Sequence, residues 1–149
     1  MRKFGAFAIL LLTSLIFAGI SVNLKTGAGF GVIGGELVYR FQDHYAFFSG
    51  IGTNFESFSI LGGFRYYFAN EFEPSPFISL GGGILPIAAK SLAEEEISFP
   101  VPLFLAAGGY EYYITPSWKL SVEAGFIGGI VLVIPIVSPT LGVSIGYTF

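Results

Sequence analysis

Few side chains in this sequence have the type and spacing for chemistry. There is one histidine, His44, and no cysteine. Without cysteine there are no disulfides, thiolate metal sites or Cys nucleophiles. A hydrolytic centre would need His44 beside a serine and a carboxylate, but it follows Asp43 in a short polar break and reads as a turn residue. Glu94, Glu95 and Glu96 form the one run of like charge. They read as a solvated loop tip, since three adjacent carboxylates do not define a coordination geometry for a divalent ion. Gly29-Phe30-Gly31-Val32-Ile33-Gly34 has the G-x-G-x-x-G form. A dinucleotide site needs a helix after those glycines, whereas Glu36 to Phe41 alternates as a strand. No catalytic residue, metal or cofactor is expected.

The remaining charges are spread singly. Lys25, Glu36, Arg40, Arg65, Glu111, Lys119 and Glu123 each sit among small or polar residues that alternate with large apolar ones. Successive side chains of a strand point to opposite faces, so period-two alternation is the β signal. It is cleanest at the C-terminus. Val137, Pro139, Leu141, Val143, Ile145, Tyr147 and Phe149 oppose Ser138, Thr140, Gly142, Ser144, Gly146 and Thr148. The same pattern marks Val22 to Gly31, Ile33 to Phe41, Phe58 to Phe68 and Trp118 to Gly128. In the first of these, Val22, Leu24, Ala28 and Phe30 share the apolar face. Tyr45 to Thr53, Pro76 to Leu85 and Pro100 to Ile114 are blurred by Gly and Ala. These segments make eight strands, unless the first hairpin is one long strand; seven would be an odd number, unlike bacterial single-chain barrels.

The composition says what surrounds the strands. Of 149 residues, 53% are hydrophobic and 11% are charged, against ~25% charged in soluble domains. Twenty-one glycines and 17 phenylalanines suit strands facing lipid, and a net charge of −3 leaves no basic footprint for nucleic acid. Arg2 and Lys3, the apolar Phe4 to Phe17, and the small residues Ala18, Gly19 and Ser21 have the layout of a secretory signal peptide cleaved between about residues 18 and 21. Its apolar core is short for a spanning helix, which takes ~20 residues. Residues 1–18 are expected to be this helical signal and 19–149 the membrane domain.

In lipid every backbone polar group needs a partner, so membrane strands must close into a ring. The expected fold is all-β, an eight-stranded antiparallel up-and-down transmembrane β-barrel in a bacterial outer membrane. A soluble sandwich would turn its polar face outward, and no run after the signal is long enough for a spanning helix. With the N-terminus in the periplasm, the breaks Gln42–His44, Ala69–Ser75 and Thr115–Ser117 fall on the periplasmic side. Tyr39, Phe41, Tyr45, Tyr66, Phe68, Tyr110, Tyr112, Trp118, Tyr147 and Phe149 then gather near that end as an aromatic belt. The opposite end has breaks near Val32–Gly35, Asn54–Ser57, Ile87–Phe99 and Val133–Ile136.

Parity turns Lys25, Glu36, Arg40, Arg65, Glu111, Lys119 and Glu123 inward. An eight-stranded barrel is just wide enough to be filled by side chains, and unpaired buried charge is costly. An internal network of these acids and bases is therefore expected, acting as a structural plug or lining a narrow ion path.

Three segments carry a resemblance: Gly35-Glu36-Leu37-Val38-Tyr39-Arg40-Phe41-Gln42-Asp43-His44, Gly62-Gly63-Phe64-Arg65-Tyr66-Tyr67-Phe68, and Pro76-Phe77-Ile78-Ser79-Leu80-Gly81-Gly82-Gly83. They resemble the small outer-membrane β-barrel domain family, which includes OmpA-like, OmpX-like and OmpW-like barrels. The resemblance implies a monomeric barrel contacting outer-membrane lipid. It also implies a C-terminal strand read by the barrel-assembly machinery through Leu141, Val143, Ile145, Tyr147 and Phe149. The expected role is structural, or the handling of small, even hydrophobic, solutes without catalysis. The apolar Ile84–Ile87 and Ile127–Ile136 ends motivate the hydrophobic version. The competing readings are a lipid-modifying enzyme and an ion channel.

Overall fold

The structure, a computed structural model, describes residues 19–55, 57–90, 96–131 and 134–149, with backbone alone at 87–90, 96–99 and 131. The proposed signal segment lies outside the described residues. Eight strands follow in chain order: β1 (Gly19–Gly27), β2 (Ile33–Gln42), β3 (Tyr45–Thr53), β4 (Phe58–Tyr67), β5 (Ser75–Lys90), β6 (Glu96–Tyr113), β7 (Trp118–Val131) and β8 (Ile134–Thr148). Each pairs antiparallel with the next, and β1 pairs with β8 to close the ring. No helix among the described residues is long and apolar enough to cross a membrane; the crossing elements are strands.

Closure follows from the alternation. Val22, Leu24, Leu37, Phe47, Ile60, Leu80, Val122 and Val143 stand exposed on the outer surface, while Ser21, Asn23, Lys25, Glu36, Arg65, Ser79, Glu111 and Glu123 are buried inside. An exterior of large apolar side chains around a polar interior is a solution in lipid and not in water, where the hydrophobic effect would invert it. Register is pinned because a one-residue slip would turn every charge outward.

The glycines follow the same parity. A Cβ at inward-facing Gly63 would run into the Leu80 carbonyl, Gly81 Cα and the Phe48 ring. At outward-facing Gly62 it would meet nothing nearer than 3.4 Å. Gly63→Ala should therefore cost ~1–3 kcal/mol of stability through overpacking. Gly62→Ala should be close to neutral, and urea unfolding in lipid vesicles distinguishes the two.

The barrel is lopsided. β1–β4 have 9 or 10 residues, about what a tilted strand needs to cross the hydrocarbon, ~9–11, whereas β5–β8 have 14 to 18. Pairing of β4 with β5 runs only as far as Ile60↔Ile84, and that of β1 with β8 only as far as Gly27↔Gly142. Beyond those points β5–β8 rise as a wall whose outer edges have no neighbouring strand among the described residues. Proline guards these edges, at Pro86 on β5 and at Pro135 and Pro139 on β8. Proline offers no N–H to a stray strand, which is how exposed edges resist aggregation.

Several expectations change at this loop end. The first strand stops at Gly27 and does not run on to Gly31. Gly27, Ala28, Gly29 and Gly31 all adopt positive φ, which folds the segment back into the lumen. Ala28 and Phe30, expected to face lipid with Val22 and Leu24, are completely buried inside. The first break is thus residues 28–32, not Val32–Gly35. The long break expected at Ile87–Phe99 is mostly a continuation of β5 and β6, and β8 begins at Ile134, inside the break expected at Val133–Ile136. Glu94 and Glu95 lie outside the described residues.

Candidate functional site

The interior is a stack of layers between two ends. The turn end carries residues 43–44, 68–74 and 114–117; the loop end carries 28–32, 54, 55 and 57. The central layer is a closed ring of ion pairs. Lys25 Nζ lies 3.1 Å from Glu36 Oε2 and 2.6 Å from Glu123 Oε1. Arg65 Nη2 lies 3.0 Å from Glu36 Oε2 and 3.6 Å from Glu123 Oε2. Two bases and two acids therefore alternate around the lumen, from β1, β2, β4 and β7. Glu36 is the best-served member: it also accepts hydrogen bonds from Asn23 Nδ2 (2.8 Å) and Arg65 Nη1 (3.3 Å). The Glu123 oxygens are held by charge proximity without a well-aligned hydrogen bond.

A second pair lies toward the turn end, where Lys119 Nζ donates to Glu111 Oε2 at 2.9 Å. Tyr67 connects it to the ring, its hydroxyl donating to Glu111 (3.4 Å) and accepting from Arg65 (3.5 Å). Inside the barrel Lys25, Arg65 and Lys119 thus face Glu36, Glu111 and Glu123, three of each sign. Such buried pairs cost much desolvation, and removing one partner is more damaging than never having the pair.

Arg40 is the exception to the expected network. It is buried and inward-facing but joins none of the ion pairs with Glu36, Glu111 or Glu123. Its guanidinium donates to the carbonyls of Asp43 and Ala69, fastening two turns together, and stacks 4.2 Å from the Tyr67 ring. The balance of three acids against four bases read from parity becomes three against three in the ion-pair layers. His44 lies in the turn, with Nδ1 3.0 Å from the Tyr67 carbonyl oxygen.

Aromatic residues missing from the sequence reading complete the plug. The Arg65 guanidinium sits between Phe77 and Phe48, 4.5 Å and 5.2 Å from their ring centres, and Arg65 Nε donates to Ser79. Phe48 and Phe77 belong to a buried apolar cluster with Val38, Ala46, Tyr67, Leu105 and Ala107, so the interior is less polar than expected. Both rings alternate correctly with Ala46 and Ser79, but they lie on two of the three strands blurred by small residues. Phe30 covers the ring on the loop side, with Lys25 Nζ 4.7 Å from its centre. It packs into a slot that exists because Gly34, Gly50 and Gly52 lack Cβ atoms.

Above Phe30 the lumen opens as a cup of about 380 Å³. Leu85, Val101, Leu103 and Ile127 of the tall wall form one side; Gly29, Thr53, Asn54 and Ser59 form the low side. Outside, Tyr39, Phe41, Tyr45, Phe64, Tyr66 and Phe68 make a chain of ring contacts at the turn end, with centroids 5.1–6.4 Å apart. Trp118, Tyr147 and Phe149 make a second one, and Tyr112 is exposed on the same surface. Leu141, Val143, Ile145 and Tyr147 share the outer face of β8; exposed Phe149 follows its last residue, and the Phe149 amide donates to the Ile20 carbonyl at 3.0 Å.

No family model matches the chain. No curated protein matches it. Solved structures do match. The N-terminal β-barrel domain of Pseudomonas aeruginosa OprF aligns at TM-score 0.58 and 18% identity, over 89% of this chain and 96% of that one. Neisserial surface protein A aligns at TM-score 0.54 and 14% identity, over 88% and 92%. A designed transmembrane β-barrel aligns at 0.52 and 17%, over 89% and 94%. These likenesses establish the fold: an eight-stranded membrane barrel of the small outer-membrane type.

Proposed function

We propose that this protein is a non-catalytic barrel of a bacterial outer membrane whose lumen is sealed, and that any solute it handles is small and met at the loop end. One observation carries the reading: the lumen is crossed by the closed Lys25–Glu36–Arg65–Glu123 ring, covered by Phe30. A conducting path would need a continuous polar lining through the lumen. Here the ring charges are paired with one another, and the next layer is apolar. The turn end faces the periplasm in this reading, with its ring contacts at the lipid interface. A lipid-modifying centre has less support, because His44 is held in a turn at the opposite end from the cup.

Planar bilayers containing the purified protein should stay at baseline conductance. Stable, reproducible conductance steps would overturn the sealed-lumen reading. The proposed partners are outer-membrane lipid and, during biogenesis, the barrel-assembly machinery, with the protein a monomer. Deleting Phe149 should reduce the heat-modifiable, surface-exposed form several-fold. Unchanged migration and exposure would count against β8 as the assembly signal.

A further inference from the structure

We infer that the turn after β4 carries a site for the chain's own processed N-terminus: Glu71 pairs with the α-ammonium group created when the signal segment is cut between Ala18 and Gly19. The inference rests on the signal-peptide layout, which by itself leaves the cut anywhere between about residues 18 and 21.

The fold narrows that window. Residues 19–21 belong to β1. Gly19 pairs with Arg40 of β2. The Ile20 carbonyl accepts the Phe149 amide at 3.0 Å, and buried Ser21 shares a hydrogen bond of 2.9 Å with Thr148. A cut after Ser21 would remove all three contacts, two of which tie β1 to the end of the chain. A cut after Ala18 keeps them and makes Gly19 the first residue.

Glu71 meets that residue directly. A Cβ at Gly19 would overlap the Glu71 carboxylate, so the carboxylate rests against Gly19 Cα. The backbone nitrogen is one bond from that Cα, ~1.46 Å, which puts an ammonium group there within ion-pair reach. The turn holds the carboxylate in this place. Phe72 stands at φ 66°, a left-handed conformation that is costly for a bulky residue, and its ring packs 5.8 Å from that of Tyr113. The Glu73 amide closes the turn on the Asn70 carbonyl at 3.3 Å.

The charges around Glu71 leave place for one more cation. Arg40, Asp43, Lys119 and Glu111 act on it, so with Glu71 itself three acids face two bases. Partial burial, with Asp43 and Glu111 nearby, holds its carboxyl above the usual carboxylate range, although Arg40 and Lys119 pull it down. Among the described residues Glu71 joins none of the ion pairs. An α-ammonium at Gly19 brings the acids and bases level. In the uncut chain the same nitrogen is a neutral amide, so the pair forms only after processing.

Mass spectrometry with chemical labelling tests this on protein purified from the outer membranes of cells expressing the full chain. The N-terminal peptide should begin at Gly19. Competitive acetylation over a pH series, read on that peptide, follows the titration of its α-amino group. The group should titrate above the ~7.7–8.0 of a free α-amino group. Glu71→Gln removes the charge and keeps the side-chain length, so the amine should titrate lower and react several-fold faster at pH 7. A carboxylate that only shapes the turn would not move this titration. Heat-modifiable migration reports that the variant has folded; should it not fold, Glu71→Asp, with its shorter reach, should shift the reactivity in the same direction. A first residue other than Gly19 would overturn the inference at the cut. A start at Gly19 with an amine whose titration is the same in wild type and folded variant would overturn it at the ion pair.

Discussion

Replacing Glu36 with alanine should destabilise the barrel by ~3–5 kcal/mol, the range seen when one partner of a buried ion pair is removed. Glu36 is 2% exposed and serves Lys25, Arg65 and Asn23 at once. Without it, Lys25 and Arg65 share only Glu123, whose bonds are the poorer ones. The excess positive charge then lies under Phe30, with Glu123 the one carboxylate left in that layer among the described residues. Urea unfolding in lipid vesicles, followed by heat-modifiable migration, measures the loss. A change below ~1 kcal/mol is what solvent-screened pairs contribute, and would mean that water, not the ring, solvates these charges. Glu36→Gln keeps the shape and an acceptor, and should cost less than Glu36→Ala.

Phe30→Ala should have an effect of similar size for a different reason. Large-to-small changes of buried Phe cost ~3–5 kcal/mol, and more when the surroundings cannot relax into the space. The walls around Phe30 are backbone at Gly34, Gly50 and Gly52, fixed by the strand pairing of β2 with β3, so collapse is limited. The contact with Lys25 is lost as well. The loop should stay inward nonetheless, because the Ala28 amide donates to the Leu141 carbonyl and Ser59 Oγ donates to the Gly29 carbonyl. Either variant alone leaves one seal in place and should not conduct. Phe30→Ala combined with Glu36→Ala should give an anion-selective leak in planar bilayers, since Lys25 and Arg65 then outnumber Glu123 along the path. A silent double variant would show that a third layer, Tyr67 with Glu111 and Lys119, seals the lumen by itself.

How far the fold was legible follows from what determined each part. Strand parity is a local consequence of which medium each side chain faces, so Lys25, Glu36, Arg65, Glu111, Lys119 and Glu123 could be turned inward from alternation alone. Which acid meets which base depends on register around a closed ring, and no local pattern contains that. Arg40 shows the limit: its parity is the same, but its height puts it level with the Asp43 and Ala69 carbonyls and out of the pairs made by Glu36, Glu111 and Glu123. The loop end was less legible because glycine breaks the coupling between sequence position and face. Gly27 and Gly29 at positive φ reverse the direction of Ala28 and Phe30, although their spacing from Val22 and Leu24 still looks like one strand. The greater height of β5–β8 was hidden near Pro86, just past the end read for its strand, and at Pro135, inside a segment read as a break; both stand instead on strands with open edges.

The central claim is that the lumen is closed by charges paired with each other. Solid-state NMR of the protein in bilayers, with isotope-labelled Lys and Arg side-chain nitrogens and Glu carboxyl carbons, measures it directly. The account predicts Lys25 and Arg65 each in close contact with both Glu36 and Glu123, at the N···O separations of 2.6–3.6 Å found here. Carboxylates that show no short contact to these nitrogens and exchange freely with bulk water would contradict it.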